Sequence, residues 1–125
     1  MGERMYEGYE VDDWNTVDVV EDGRRSPLPL RFDLRDCRSI AWGDQSSGSH
    51  QLALALLADA TGDDQRALRH AQMFKHRFVG ALQGKRWRVS REAVLLMLGA
   101  IERDGPSARR RAFNMNMQPG RGRTR

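Results

Sequence analysis

Residues 52–58 read Leu-Ala-Leu-Ala-Leu-Leu-Ala, and this run constrains the fold more than any other part of the chain. A helix through it is apolar nearly all round, so it belongs at the centre of a domain, covered on every side. The pattern predicts that helix from His50 to Thr61, with Gly62 as its C-terminal cap and Asp63 or Asp64 capping the next one. At seven residues the run is far short of the ~20 needed to cross a bilayer, so no membrane span is expected.

Two more helices follow in the pattern. The first is predicted over 64–82, with Ala67, Leu68, Ala71, Phe74, Phe78, Ala81 and Leu82 on a buried face. Arg66, Arg69, His70, His76 and Arg77 fall on the opposite one, and Gly84 ends the helix. Arg86-Trp87-Arg88-Val89 reads as a connector with Trp87 folded onto the core. Ser90 then caps a third helix carrying Val94, Leu95, Leu98 and Ile101, which Gly105-Pro106 stops. On the N-terminal side, Thr16 to Val20 reads as a strand and Glu21-Asp22-Gly23 as a turn. Leu28, Leu30, Phe32 and Leu34 alternate with Pro29, Arg31 and Asp33, which predicts a half-buried edge strand. The fold class expected is α+β: a small N-terminal antiparallel sheet packed on three helices, forming one domain over 1–105. Residues 106–125 read as an Arg-rich, flexible tail without periodicity.

The phrase WGDQSSGSHQLALALLADATGDD, with RALRHAQMFKHRFVGAL, Trp87 and SREAV after it, resembles a family of small domains of unknown function. That family is found in actinobacteria, haloarchaea and their phages and plasmids. Its usual phrase is an aromatic-Glu-Trp-Gly-Tyr-Gly-Gly-Ser-Gly-Pro-Ala-Gln-Leu-Ala-Leu-Ala run, matched here at Trp42, Gly43, Ser47, Gly48, Gln51 and Leu52 onward. Tyr6-Glu7-Gly8 and Pro27-Leu28-Pro29-Leu30 fit as well, so the resemblance covers residues 6 to 101. The departures are Asp44, Gln45-Ser46 and Ser49-His50, which replace the Tyr, Gly-Gly and Pro-Ala of the family phrase. The resemblance implies one compact domain of mobile-element ancestry, and it supplies no activity.

Charge is unevenly spread. The six arginines of 106–125, with no acid among them, exceed the net +4 of the whole chain and leave residues 1–105 at −2. Eight acids against Arg4 lie in residues 1–22, whereas 63–91 is strongly basic. Two interaction readings follow. Asp12, Asp13 and Asp18 on an acidic sheet are candidates to contact a basic protein partner. Arg66, Arg69 and Arg77, with Lys75 at their margin, could track phosphates, and Arg86-Trp87-Arg88 would add a stacking ring between two cations. Arg109, Arg110 and Arg111 would supply non-specific attraction to nucleic acid.

Catalytic chemistry has little to stand on. The polar stretch DQSSGSH could hold an anion at a helix N-terminus, but Ser47 or Ser49 would cap the helix there for the same physical reason, and capping is the expectation. An Asp44–His50–serine relay is weighed against a surface or cap histidine, and the latter is favoured because sequence neighbours on one turn rarely reach the needed geometry. His70 and His76 stand six apart, off the i+3 and i+4 spacing of a shared helix face. The single cysteine, Cys37, cannot form an internal disulfide, and MGERMYEGYE has no apolar leader, so a cytoplasmic setting is expected. The reading is therefore a non-enzyme without metal or cofactor. It acts by contact with a host or mobile-element protein, for instance as an inhibitor of a host defence or regulatory complex of the anti-CRISPR type. Nucleic acid is the alternative partner.

Overall fold

A computed structural model of the chain describes residues 3–104. Arg109, Arg110 and Arg111, and the rest of the tail expected from 106 onward, lie outside the described residues.

Four strands form one sheet: β1 (Met5–Val11), β2 (Trp14–Glu21), β3 (Arg24–Pro27) and β4 (Arg86–Ser90). Their spatial order is β3-β2-β1-β4, with every neighbouring pair antiparallel. Both hairpins close on two residues. Asp22 and Gly23 take φ of 53° and 76° in the second, the turn that Glu21-Asp22-Gly23 predicts. Asp12 and Asp13 take φ of 50° and 68° in the first, a left-handed pair built without glycine that aspartate tolerates better than most residues.

Strand alternation then sorts the side chains. Tyr6, Gly8, Val17 and Val19 turn inward and are buried. The central helix α1 (Ser47–Thr61) packs against this inner side, with every residue from Gln51 to Ala58 buried. Helices α2 (Asp64–Arg77) and α3 (Arg91–Asp104) both pack on α1 and on each other. The α+β architecture expected from the sequence is the one observed, a small antiparallel sheet on three helices. The local stop and start signals hold too. Gly62 caps α1 at φ 70°, Asp63 accepts from Arg66 N–H at 3.1 Å, and Ser90 Oγ accepts from Ala93 N–H at 3.0 Å.

Four expectations need correction. Residues 28–34 are not a strand. Pro27 and Pro29 lack the N–H groups a ladder needs, and the segment turns at 32–34. It is pinned by the buried Gln51, whose Oε1 accepts from Arg31 N–H at 2.9 Å and whose Nε2 donates to the carbonyls of Arg35 and Cys37 at 3.0 and 2.9 Å. Residues 86–90 are not a connector but β4, paired with β1 from Met5↔Ser90 to Tyr9↔Arg86. Helix α2 stops at Arg77 rather than running to 82, and a short 3-10 turn, Val79–Ala81, follows. His70 is buried rather than solvated, because α2 packs on α3 as well as on α1 and so needs a second inward stripe; its Nε2 sits 3.5 Å from Glu102 on α3.

Candidate interaction surface

The loop that opens α1 is a capping knot. Ser46, not Ser47 or Ser49, is the N-cap, and its Oγ accepts from Ser49 N–H at 3.3 Å. Asp44 Oδ1 receives the Ser46 N–H at 3.0 Å and the hydroxyls of Ser46 and Ser49 at 2.6 Å each. The Ser46 and Ser49 hydroxyls hold the Asp44 carboxylate below the usual carboxylate range. A negative charge is thus built into the helix N-terminus, where a bound anion would otherwise gain most. The buried Lys75 on α2 donates to Gln45 O at 3.2 Å and clamps the loop from the far side. His50 is not part of an Asp–His–Ser relay: the Ser46 and Ser49 hydroxyls both go to Asp44, and burial, then the charges of Arg35 and Lys75, pushes the His50 pKa down. Replacing Ser46 by Ala is expected to cost about 1 kcal/mol of unfolding free energy, and Ser47→Ala less than about 0.5, by urea denaturation.

The positions expected to contact nucleic acid do not converge. Arg66 makes two bonds to Glu102, at 2.6 and 2.8 Å, and Arg77 pairs with Asp104 at 2.7 Å. Arg69 is exposed on α2. Strand alternation splits the Arg86-Trp87-Arg88 triplet. Arg86 lies over the Tyr9 ring at 6.0 Å and Arg88 meets Glu7 at 3.3 Å, both on the outer side of the sheet. Trp87 points the other way. Its indole covers Gly8, where even a methyl group would collide, and stacks edge-on against Trp42 at 5.5 Å. The ring expected to stack on bases is a packing residue.

The acidic candidates also part company. Asp18 is only 6% exposed, its carboxylate accepting from the Tyr9 hydroxyl at 2.7 Å and from Arg25 at 3.1 Å. With Glu7, Arg25 and Arg88 it forms a ladder of alternating charge across the outer face, so it presents no free acid to a partner. Asp12 and Asp13 are exposed at the β1–β2 turn. Immediately beside them is a residue that the sequence reading passed over: Trp14, 75% exposed, opposite the exposed Val11 in the hairpin register. An aromatic ring this open, next to two acids on a tight turn, is the kind of group that carries energy at protein interfaces.

Behind Trp14 runs a groove of about 250 Å³, with Val17, Pro27, Leu28, Leu30 and Ile40 among its walls. A wider cleft of about 540 Å³ opens on the inner side of β3, but Arg4 and Glu21 on its wall already bind each other at 2.7 Å. Among the described residues no cluster of His, Cys, Asp or Glu could hold a metal ion, and no helix is long and apolar enough to cross a membrane.

DUF6166, a family of unknown function, matches residues 6–100, which takes in every strand but for Met5 and all but the end of α3. The chain belongs to this family. Among curated proteins and among solved structures, none matches it. The match covers the hairpin, the capping knot and the central helix alike, in keeping with the resemblance carried by Trp42-Gly43 and Gln51-Leu52.

Proposed function

We propose that this protein is a non-catalytic binding protein acting by protein–protein contact, and that its contact surface is the β1–β2 hairpin end: Val11, Asp12, Asp13 and Trp14. The observation that carries the reading is the exposure of Trp14 beside two aspartates held in left-handed backbone. A partner that fits has an apolar pocket for the indole ringed by basic side chains, so that Trp14 supplies affinity and the aspartates steer encounter. A host or mobile-element protein, inhibited through this contact as part of a defence or regulatory complex, is the finer form of the proposal. The nucleic-acid alternative has less support, since Arg66, Arg77 and Arg88 are paired with acids and Trp87 faces the core.

The test is capture of a partner from host lysate by the full chain, in parallel with and without nuclease. Trp14→Ala is expected to weaken the captured complex by about 30-fold or more, a loss of roughly 2 kcal/mol, without lowering the unfolding midpoint. Asp12→Lys with Asp13→Lys is expected to slow association. Capture that disappears with nuclease and ignores Trp14 would move the function to nucleic acid.

A further inference from the structure

Helix α3 turns one face to the core and leaves the opposite one uncovered. Val94, Leu98 and Ile101 are buried where α3 packs on α1 and α2, and Glu102 is taken by Arg66. On the far side Glu92, Leu96, Gly99 and Arg103 follow at i, i+4, i+7 and i+11, within about 60° of arc at 3.6 residues per turn. Leu96 is 70% exposed, and Glu92 and Arg103 are exposed as well. Neither charge makes an ion pair among the described residues. Gly99 answers no need inside the chain. Its φ is not positive, and a Cβ added to it would meet, among the described residues, only the flexible Arg103 Nη1 at 3.6 Å. A glycine in mid-helix weakens the helix relative to alanine, so what it offers here is close approach from outside.

The stripe is complementary to itself. An acid stands at its start and a cation at its end, with a projecting leucine and a position without a side chain between them. A two-fold axis passing between residues 97 and 98 sets Glu92 opposite Arg103 of a second copy and Leu96 opposite Gly99 of that copy. Every contact then occurs twice, as an isologous interface requires. The two helices run antiparallel, which also opposes their dipoles favourably. Parallel pairing would set Glu92 against Glu92 and Leu96 against Leu96, so charge and shape both disfavour it.

We propose that this protein forms a two-fold dimer through the outer face of α3, with Leu96 of each copy seated on Gly99 of the other and Glu92–Arg103 pairs at both ends. One helix pair buries less than the ~1,200 Å² at which stable interfaces begin, so association is weak and follows concentration. In dilute solution the Leu96 side chain stays in water, and its truncation leaves the stability of the single chain nearly unchanged. The inference is independent of the contact proposed at the β1–β2 hairpin.

Sedimentation equilibrium of the full chain and three variants tests it. The wild type is expected to rise from the mass of one chain toward that of two as its concentration increases to about 1 mM. Leu96→Glu is expected to raise the dissociation constant at least about tenfold. Glu92→Arg puts two cations on the stripe and Arg103→Glu puts two acids there, so each variant alone should associate at least about tenfold more weakly. Mixed in equal amounts, these two variants should associate about as well as the wild type, because every end pair is then a cation with an acid. A wild-type mass that stays at one chain up to about 1 mM would overturn the proposal. Association that Leu96→Glu leaves unchanged would overturn it as well, and would move the contact to another face. A mixture that associates no better than its two components would refute the antiparallel pairing.

Discussion

Replacing Leu57 by Ala is expected to lower the unfolding free energy by about 2–5 kcal/mol, and Leu56→Ala by a similar amount. Both side chains are fully buried in α1, which has the sheet on one side and α2 and α3 on others. A truncated leucine there loses its transfer free energy and leaves a cavity whose walls belong to different elements. They cannot all relax toward it at once. Surface truncation supplies the contrast: Leu96 on α3 is 70% exposed, and Leu96→Ala should change stability by no more than about 0.5 kcal/mol. For a domain of about 100 residues, 2–5 kcal/mol lowers the thermal midpoint by at least about 8 °C, so a melting curve separates the cases. If Leu56→Ala and Leu57→Ala both melt near the wild type, α1 is not the centre of the core.

What the sequence discloses here depends on how far apart the interacting residues lie. The central helix and its ends are legible because the signals are local: an unbroken Leu/Ala run, Gly62 at the C-cap, Asp63 and Ser90 at the N-caps. The alternation of Leu28, Leu30 and Leu34 misleads because a loop laid on a helix also buries residues at intervals. What holds it there is Gln51 and the Arg31–Asp64 pair, 20 and 33 residues distant. Strand β4 is only five residues long, and the alternation in Arg86-Trp87-Arg88-Val89 is easily read as a connector until β1 is known to lie beside it. The candidate site is less legible than the fold for the same reason. Charges at Asp18, Arg66, Arg77 and Arg88 look like free surface charge in one dimension, and each is matched by a partner from another element or strand. Trp14 escapes notice because Asp12-Asp13 lacks the glycine that usually marks a two-residue hairpin turn.

Asp59→Asn is expected to cost about 2–4 kcal/mol at neutral pH, and the deficit should shrink in acid. Asp59 sits near the end of α1 and accepts two bonds from Arg4, at 2.8 and 2.9 Å, and one from the fully buried Tyr6 hydroxyl at 2.7 Å. Arg4 reaches on to Glu21 at 2.7 Å, so one carboxylate ties β1 and β2 to the central helix. Burial by itself would push the Asp59 pKa up. The bonds from Arg4 and Tyr6, with the charges of Arg4 and Arg91, outweigh it and hold the group below its ordinary value. A carboxylate whose pKa is depressed on folding contributes stability that is complete above the unfolded value, about 3.9, and is lost as pH falls through the lowered folded value. Tyr6 is shifted the other way, raised by burial first and then by its bond to Asp59. Its contribution is complete below the unfolded value of about 10 and lost as pH rises beyond it. Asp33, Asp44, Asp64 and Glu102 are also held low, so acid weakens both proteins, and only their difference isolates Asp59. Urea midpoints measured for wild type and Asp59→Asn between pH 2 and 9 should give a gap that is flat from about pH 5 upward and narrows steadily toward pH 2. A gap of the same size at pH 2 would mean that the side-chain amide damages packing, and that the Arg4–Asp59–Tyr6 charge network is not what holds β1 to α1.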